Sequence, residues 1–322
     1  HVLKTTTLRC PGGKLRAMSQ FLLDDYLREQ SLLVDSALER YFGRYPAGQQ
    51  TIYQAMRYGV FPGGKRIRPI LTLAAGALFG APTERLLPFA CAVELIHAYS
   101  LIHDDLPALD DDDERRGEPA NHKVFGQGMA LLAGDGLLTE AFHLMSEPEH
   151  VLGINSELAL QVIHEIAQAV GVMGLVGGQA LDLEAESQEA DLALVEVIHV
   201  RKTGALILAA IRSGARLGGA GESDLLRMTR YGEYLGLAFQ IADDILDALG
   251  VTVMGERAES DHNELKKATY PSVVGIVQAT ERLQELSRQC DRELAPYGNM
   301  AQRLQAIAEH VVARAIRQRE DP

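Results

Sequence analysis

Three cysteines in 322 residues, Cys10, Cys91 and Cys290, are too widely spaced for a disulfide framework. No CxxC pair offers a zinc site either, so they read as small core or surface filler in a reducing compartment. No apolar run reaches the roughly eighteen residues that span a bilayer, so stable membrane insertion is not expected and a cytoplasmic location is. Acids outnumber bases, and the net charge of −13 argues against nucleic acid as the main partner. Alternating strand-like runs with hairpin turns are missing, and no linker divides the chain. What is present, 47% hydrophobic and 23% charged residues, is enough to build a sizeable core.

The pattern is helical almost throughout. Leu22, Leu23, Tyr26, Leu33, Ala37, Leu38 and Tyr41 recur at threes and fours, the spacing of one buried helix face. Similar segments are expected near 49–59, 66–80, 84–106, 120–146, 154–187, 190–217, 222–249, 271–289 and 299–317. Breaks fall at Gly and Pro clusters such as Phe61-Pro62-Gly63-Gly64, Gly80-Ala81-Pro82 and Gly218–Gly221. Long helices that are apolar around most of their circumference belong at the centre of a large bundle. The expectation is one all-α domain over 18–322, a single large helical bundle with a central cavity. Residues 1–17 hold four basic residues and no acid, and Met18 opens the first periodic segment. They read as an N-terminal extension or remnant, with an acid-poor targeting peptide as the alternative.

Six carboxylates lie within the eleven positions from His103 to Asp113, and Asp243-Asp244-Ile245-Leu246-Asp247 echoes them 139 residues later. Each run leaves a strongly apolar stretch. Clustered carboxylates beside an apolar wall point to a hard divalent cation, since Mg²⁺ takes a few oxygen ligands and keeps its other sites for water or phosphate. Gln240, Asp243, Asp244 and Asp247 are spaced i, i+3, i+4 and i+7, which puts them on one helix face, toward an internal polar cavity. Pro107 disfavours continued helix before it, so the chain turns near Leu106 and Asp110 can approach the same metal as Asp104. Asp111, Asp112 and Asp113 read as solvated or helix-end charges.

Basic residues near these runs are few and therefore informative. Arg115 and Arg116 either neutralise the acids or capture a diphosphate through their planar forks. Gly63-Gly64-Lys65-Arg66-Ile67-Arg68-Pro69 puts adjacent glycines before a helix, where amides favour an anion, with Lys65 and Arg68 on one side of a turn. P-loop spacing is absent. His97 is either a core residue or a partner of Lys65 and Arg68, two turns above Asp104. Lys202 in an apolar helix either snorkels to solvent or holds a buried anion. Gly177-Gly178-Gln179 and Asp182 interrupt another helix, as tight packing requires.

Taken in order, GGKRIRP, HAYSLIHDDLPALDDDDERRGEPANHKVFG, LAGDGLL, GGQALDLEAE, KTGALI, FQIADDILD and KKATYP resemble the trans-isoprenyl diphosphate synthases, over residues 20–317. The similarity is greatest to bacterial farnesyl diphosphate synthases. It implies a homodimeric transferase that joins allylic diphosphates to isopentenyl diphosphate with Mg²⁺, three ions per site when substrate is bound. It further implies Asp104, Asp105 and Asp110, with Asp243, Asp244 and Asp247, at the metals. Arg115 and Lys202 would then contact the allylic diphosphate, and Gly64, Lys65, Arg68, His97 and Arg116 the isopentenyl diphosphate. Thr203 and Gln240 would lie near the reacting carbons, completing with Lys202 the catalytic set. A bulky Tyr99, five residues before Asp104, resembles a floor that stops growth at fifteen carbons, although a helical wheel puts Ser100 directly below Asp104.

The chain departs from the family after the second motif. Glu256 stands where a lysine is expected and Glu259 where a glycine is. Arg257, Lys266 or Lys267 would have to supply the missing cation. A geranylgeranyl or geranyl diphosphate synthase and a non-catalytic subunit of a heteromeric synthase are the alternatives. A terpene cyclase would lack GGKRIRP.

Overall fold

The computed structural model describes residues 13–45, 50–61, 63–147, 153–185, 191–250 and 269–320. Glu256, Arg257, Glu259, Lys266 and Lys267 lie outside the described residues, as do residues 1–12 and Cys10. Helix α1 spans Gly13–Phe42, so it starts five positions before Met18. There follow α2 (Thr51–Val60), α3 (Ile67–Leu78) and α4 (Thr83–Asp104). Next come α5 (Asn121–Phe125), α6 (Gln127–Ser146), α7 (Ser156–Val170), α8 (Leu175–Ala185) and α9 (Leu192–Ile198). A π-helical turn, His199–Gly204, joins α9 to α10 (Ala205–Leu217). The remaining helices are α11 (Glu222–Ala248), α12 (Tyr270–Val274), α13 (Ile276–Leu294) and α14 (Gln302–Glu320), with a 3₁₀ segment Ala295–Ala301 before the last. This is the all-α bundle that the periodicity predicts.

Side-chain chemistry sets several of the boundaries. Asp191 caps α9 by accepting from Leu194 N at 2.9 Å, and Thr269 and Ser272 form a capping box at α12. Along α13, Leu283, Leu286, Cys290 and Leu294 are buried at i, i+3, i+7 and i+11, one face of the helix. Packing runs α6–α4–α3–α10–α11–α13 through the molecule, with α4 near its centre. Each fully buried Leu, Ile or Phe there, Leu86, Phe89, Leu95 and Ile96 among them, contributes about 1.5–3 kcal/mol. Cys91 and Cys290 are buried and unbridged, as filler should be.

Two expectations need correction. Between Asp113 and Asn121 a short antiparallel hairpin forms, β1 (Glu114–Arg115) with β2 (Glu118–Pro119). Arg116 and Gly117 turn it with φ of 60° and 79°, the left-handed pair a two-residue hairpin needs. Two stretches, Thr83–Asp104 and Ser156–Ala185, are also long and apolar enough to cross a membrane by length and hydropathy, contrary to the reading of the runs. The first is 72% buried inside the bundle, which accounts for its apolar character. The second is 33% buried and broken by the turn at Gly171–Gly174.

Candidate active site

The first acidic cluster forms where α4 ends. Past Asp104 the chain doubles back over Pro107, and the Asp110 amide donates to the Asp104 carbonyl at 2.9 Å. Two residues six apart in sequence are thereby adjacent. Burial pushes the Asp104 carboxyl up to about 6; Lys202 opposes the shift and Asp110 adds to it. Across the site, burial likewise pushes Asp243 on α11 up to about 6, with Arg314 opposing and Asp247 adding. Arg314 Nη1 lies 3.8 Å from Asp243 Oδ1, and Arg68 and Lys65 also pull the Asp243 carboxyl down.

The two Asp-Asp pairs divide their labour the same way. Asp105 is buried and its Oδ1 accepts from both Arg115 Nε, at 2.8 Å, and Arg115 Nη2. Asp244 is also buried: Oδ1 accepts from Gln240 Nε2 at 3.1 Å and Oδ2 from the Tyr270 amide at 2.7 Å, with His199 Nε2 at 3.3 Å. Neighbouring helical residues point about 100° apart, so the two members of a pair meet different surroundings. The expectation of Asp105 and Asp244 as metal ligands therefore differs from their placement, which is inward onto protein partners. Asp247 is exposed one turn beyond Asp243.

Lys202 and Thr203 sit in the π-helical turn, a widened geometry frequent at functional sites. Gly178 lets α8 press against the backbone at Lys202, where any Cβ would collide with the Lys202 nitrogen. Lys202 Nζ reaches Asp182 Oδ2 on α8 at 2.6 Å. Thr203 Oγ1 donates to Gln240 Oε1 at 2.8 Å, which fixes the Gln240 amide with its nitrogen toward Asp244. Each of these oxygens keeps lone pairs that can face a developing cation.

A basic half adjoins the acidic one. Arg68 Nη1 donates to His97 Nε2 at 3.2 Å, so the imidazole proton sits on Nδ1. Burial first, then Arg68 and Arg116, hold His97 well below the usual histidine range and keep it neutral. The Arg68 Nε is buried without a hydrogen-bond partner among the described residues. Arg116 Nη1 donates to the Gly63 carbonyl, and a Cβ at Gly64, whose φ is 142°, would meet that guanidinium at 2.8 Å. Lys65 is exposed at the mouth; burial of part of its length and the charge of Arg314 lower its pKa, with Asp243 opposing.

Arg66, between Lys65 and Arg68, takes no part in this half. The residue is 3% exposed and its guanidinium is bonded to Asp35, Glu94 and the Val60 carbonyl. On α4, Tyr99 is buried edge-on to His103 at 5.7 Å between ring centroids, with its hydroxyl unpartnered among the described residues. Burial, then the Asp104 charge, raises that phenol to about 12. Ser100 Oγ instead donates to the His97 carbonyl of its own helix at 2.9 Å.

Arg314 and His199 are residues that sequence reasoning missed. Arg314 lies on the last helix and only the fold carries it to Asp243. His199 had a signal, being three residues before Lys202 and buried in an apolar helix.

A helical bundle with two buried aspartate clusters, one within reach of Lys202 and the other of Arg68, Lys65 and Arg314, has the makings of a prenyltransferase-type site. The polyprenyl synthetase family model matches residues 49–306, and the chain belongs to that family. Farnesyl diphosphate synthase of Escherichia coli is 44% identical over 285 residues, covering 87% of this chain and 95% of the relative. Geranylgeranyl diphosphate synthase of Cyanophora paradoxa is 42% identical over 298 residues, covering 92% and 98%. The crystal structure of an FPP/GFPP synthase from Zymomonas mobilis superposes with a TM-score of 0.80 at 36% identity, over 91% of this chain and 100% of that one.

Proposed function

We propose that this prenyltransferase condenses dimethylallyl or geranyl diphosphate with isopentenyl diphosphate and releases farnesyl diphosphate. The observation that carries this reading is the meeting, at Asp243, of a half that calls for cations and a half that calls for an anion. On one side stand the half-exposed carboxylates of Asp104, Asp110 and Asp243. On the other stands Arg68, with a buried Nε that has no hydrogen-bond partner among the described residues and a neutral His97 holding its fork. One half suits a metal-borne diphosphate and the other a diphosphate held by cations directly.

The donor set on the acidic side fits Mg²⁺. All its atoms are carboxylate oxygens, and carboxyls raised to about 6 by burial are groups that a cation would return to the ionised form. Asp104, Asp110 and Asp243 would hold the ions, three per site with substrate bound, with Asp247 supporting through water. When bound, Mg²⁺ supplies Lewis-acid stabilisation of the leaving diphosphate.

The chain's own residues do the rest. Lys202 would exchange Asp182 for an oxygen of the allylic diphosphate, while Asp105 holds Arg115 in reach of the same group. Lys65, Arg68 and Arg116 bind the second diphosphate and orient its alkene toward the allylic carbon. As the C–O electron pair leaves with diphosphate, oxygens of Thr203 and Gln240 stabilise the allylic cation. The alkene then forms the new C–C bond, and the released diphosphate takes the proton. Apolar walls keep water from the cation.

Purified protein with Mg²⁺, isopentenyl diphosphate and each allylic primer should yield farnesyl diphosphate as the end product. No prenyl product with any primer would sink the enzyme reading. Chain length is carried by Tyr99, whose ring lies buried on α4 within range of the Asp104 charge. Tyr99→Ala should shift the end product beyond fifteen carbons when isopentenyl diphosphate is in excess. A product still confined to fifteen carbons, read by mass spectrometry, removes Tyr99 as the floor.

Homodimerisation is part of the same proposal. Leu160, Val172, Met173, Val176 and Leu183 are exposed along α7, the following turn and α8, a concentration of apolar surface that a second copy would cover. Light scattering should give twice the chain mass, and a monomer at all concentrations would remove this part.

A further inference from the structure

Asp111, Asp113 and His122 each place one ligand atom within 4.8 Å of the other two, outside the acidic half assigned above. The two aspartates are exposed on the loop and hairpin that follow Asp110. His122 is on α5 and 6% exposed, and neither ring nitrogen has a hydrogen-bond partner among the described residues. A buried polar group without a partner costs about 1–3 kcal/mol, so an imidazole left this way facing two carboxylates calls for a ligand. Two bonds hold the segment in place: the Ala120 backbone amide donates to the Asp113 carbonyl at 2.8 Å, and the Asn121 side-chain Nδ2 to the Ala55 carbonyl at 2.8 Å.

We propose that Asp111, Asp113 and His122 form a binding site for a borderline divalent cation of the Zn²⁺ class. One imidazole nitrogen with two carboxylate oxygens is a donor set that Mg²⁺ disfavours and Zn²⁺ accepts. Ligands about 2.0–2.1 Å from a tetrahedral ion sit roughly 3.3 Å from one another. Closure therefore requires only a modest inward movement of the two exposed aspartates, and the fourth position opens to solvent. The competing occupant is Lys123, whose ammonium is 2.5 Å from Asp113 Oδ1 and must swing out. The ion would clamp the segment that carries Arg115 and Arg116 without touching substrate, so the site stands apart from the Mg²⁺-dependent reaction.

The test is Zn²⁺ titration of the metal-free full chain by calorimetry, with Co²⁺ absorption reporting the imidazole ligand. One equivalent should bind to wild type. Affinity should fall at least about tenfold in Asp111→Asn/Asp113→Asn and in His122→Gln. Since the aspartates are exposed, their double variant reports on binding even if His122→Gln fails to fold. Lys123→Met should tighten binding by freeing the Asp113 oxygen. Asp104→Asn/Asp243→Asn should leave the site intact. Loss of binding in that last variant, unchanged affinity in the aspartate double variant, or no bound Zn²⁺ in wild type would each overturn the proposal.

Discussion

Replacing Asp243 with asparagine is expected to lower kcat about 10³-fold while leaving the metal-free protein folded and slightly more stable at neutral pH. The catalytic loss follows from removing a carboxylate at the junction of the two diphosphate sites, where leaving-group charge develops. The stability gain follows from its pKa, which burial raises from 3.8 to about 6 in the folded protein. Between those values the folded chain holds a proton that the unfolded chain has lost. Stability contributed by this group is therefore present at low pH and declines as pH rises through that window. Above about pH 6 the buried charge is a net cost, and the amide removes it. The side chain is 31% exposed, so solvent screening trims the gain to about 1 kcal/mol, or a few degrees in Tm. Steady-state kinetics with Mg²⁺ and a melt in chelator measure the two effects separately. A wild-type kcat would remove Asp243 from the reaction. A lower Tm near pH 7 would mean that Arg68, Lys65 and Arg314 depend on its charge.

Much of the architecture was legible because helix periodicity and Gly/Pro punctuation are local signals. The segment over 222–249 became α11, and the breaks at Gly80-Ala81-Pro82 and Gly218–Gly221 fell between helices. The hairpin after Asp113 escaped notice because two residues per strand leave no alternation to read. At the site, residue types and spacing pointed to the right neighbourhoods but not to directions. Shared face spacing put Asp243 and Asp244 together, whereas one helical step aims Asp244 at Gln240 and Tyr270. Spacing in the GGKRIRP run singled out Lys65 and Arg68 and was silent on Arg66, which packing buries against Glu94. Arg314 was beyond reach, because nothing in a C-terminal helix announces that it will return to α11. The π-helical turn at Lys202 was equally silent, since an i→i+5 pattern leaves no mark in residue spacing; at its end Gly204 meets Gly236 of α11, where a Cβ on Gly236 would lie 2.8 Å from Gly204 Cα.

Arg66→Ala and Arg68→Ala, two positions apart, should fail in opposite ways. Arg66 bonds Glu94 Oε1 at 2.7 Å, Asp35 Oδ1 at 2.8 Å and the Val60 carbonyl at 2.7 Å. Glu94 is itself 2% exposed, so losing Arg66 strands a buried carboxylate and a carbonyl together. Breaking such a pair costs about 3–5 kcal/mol, enough to lower Tm by roughly 10 °C. Adding Glu94→Gln should recover part of the loss, because the stranded charge disappears, and a double-mutant cycle would show that coupling. Arg68 has the reverse character. Its guanidinium is desolvated, its Nε has no hydrogen-bond partner among the described residues, and its visible bond is to a neutral imidazole. Alanine there removes a buried charge that Glu94 and Asp243 offset only in part, so stability should hold while the KM for isopentenyl diphosphate rises about 10–100-fold, the worth of one or two charge-assisted hydrogen bonds. The KM for geranyl diphosphate should move much less. A larger effect on the allylic substrate would exchange the two pockets, and a wild-type melting temperature for Arg66→Ala would show that Glu94 finds another partner.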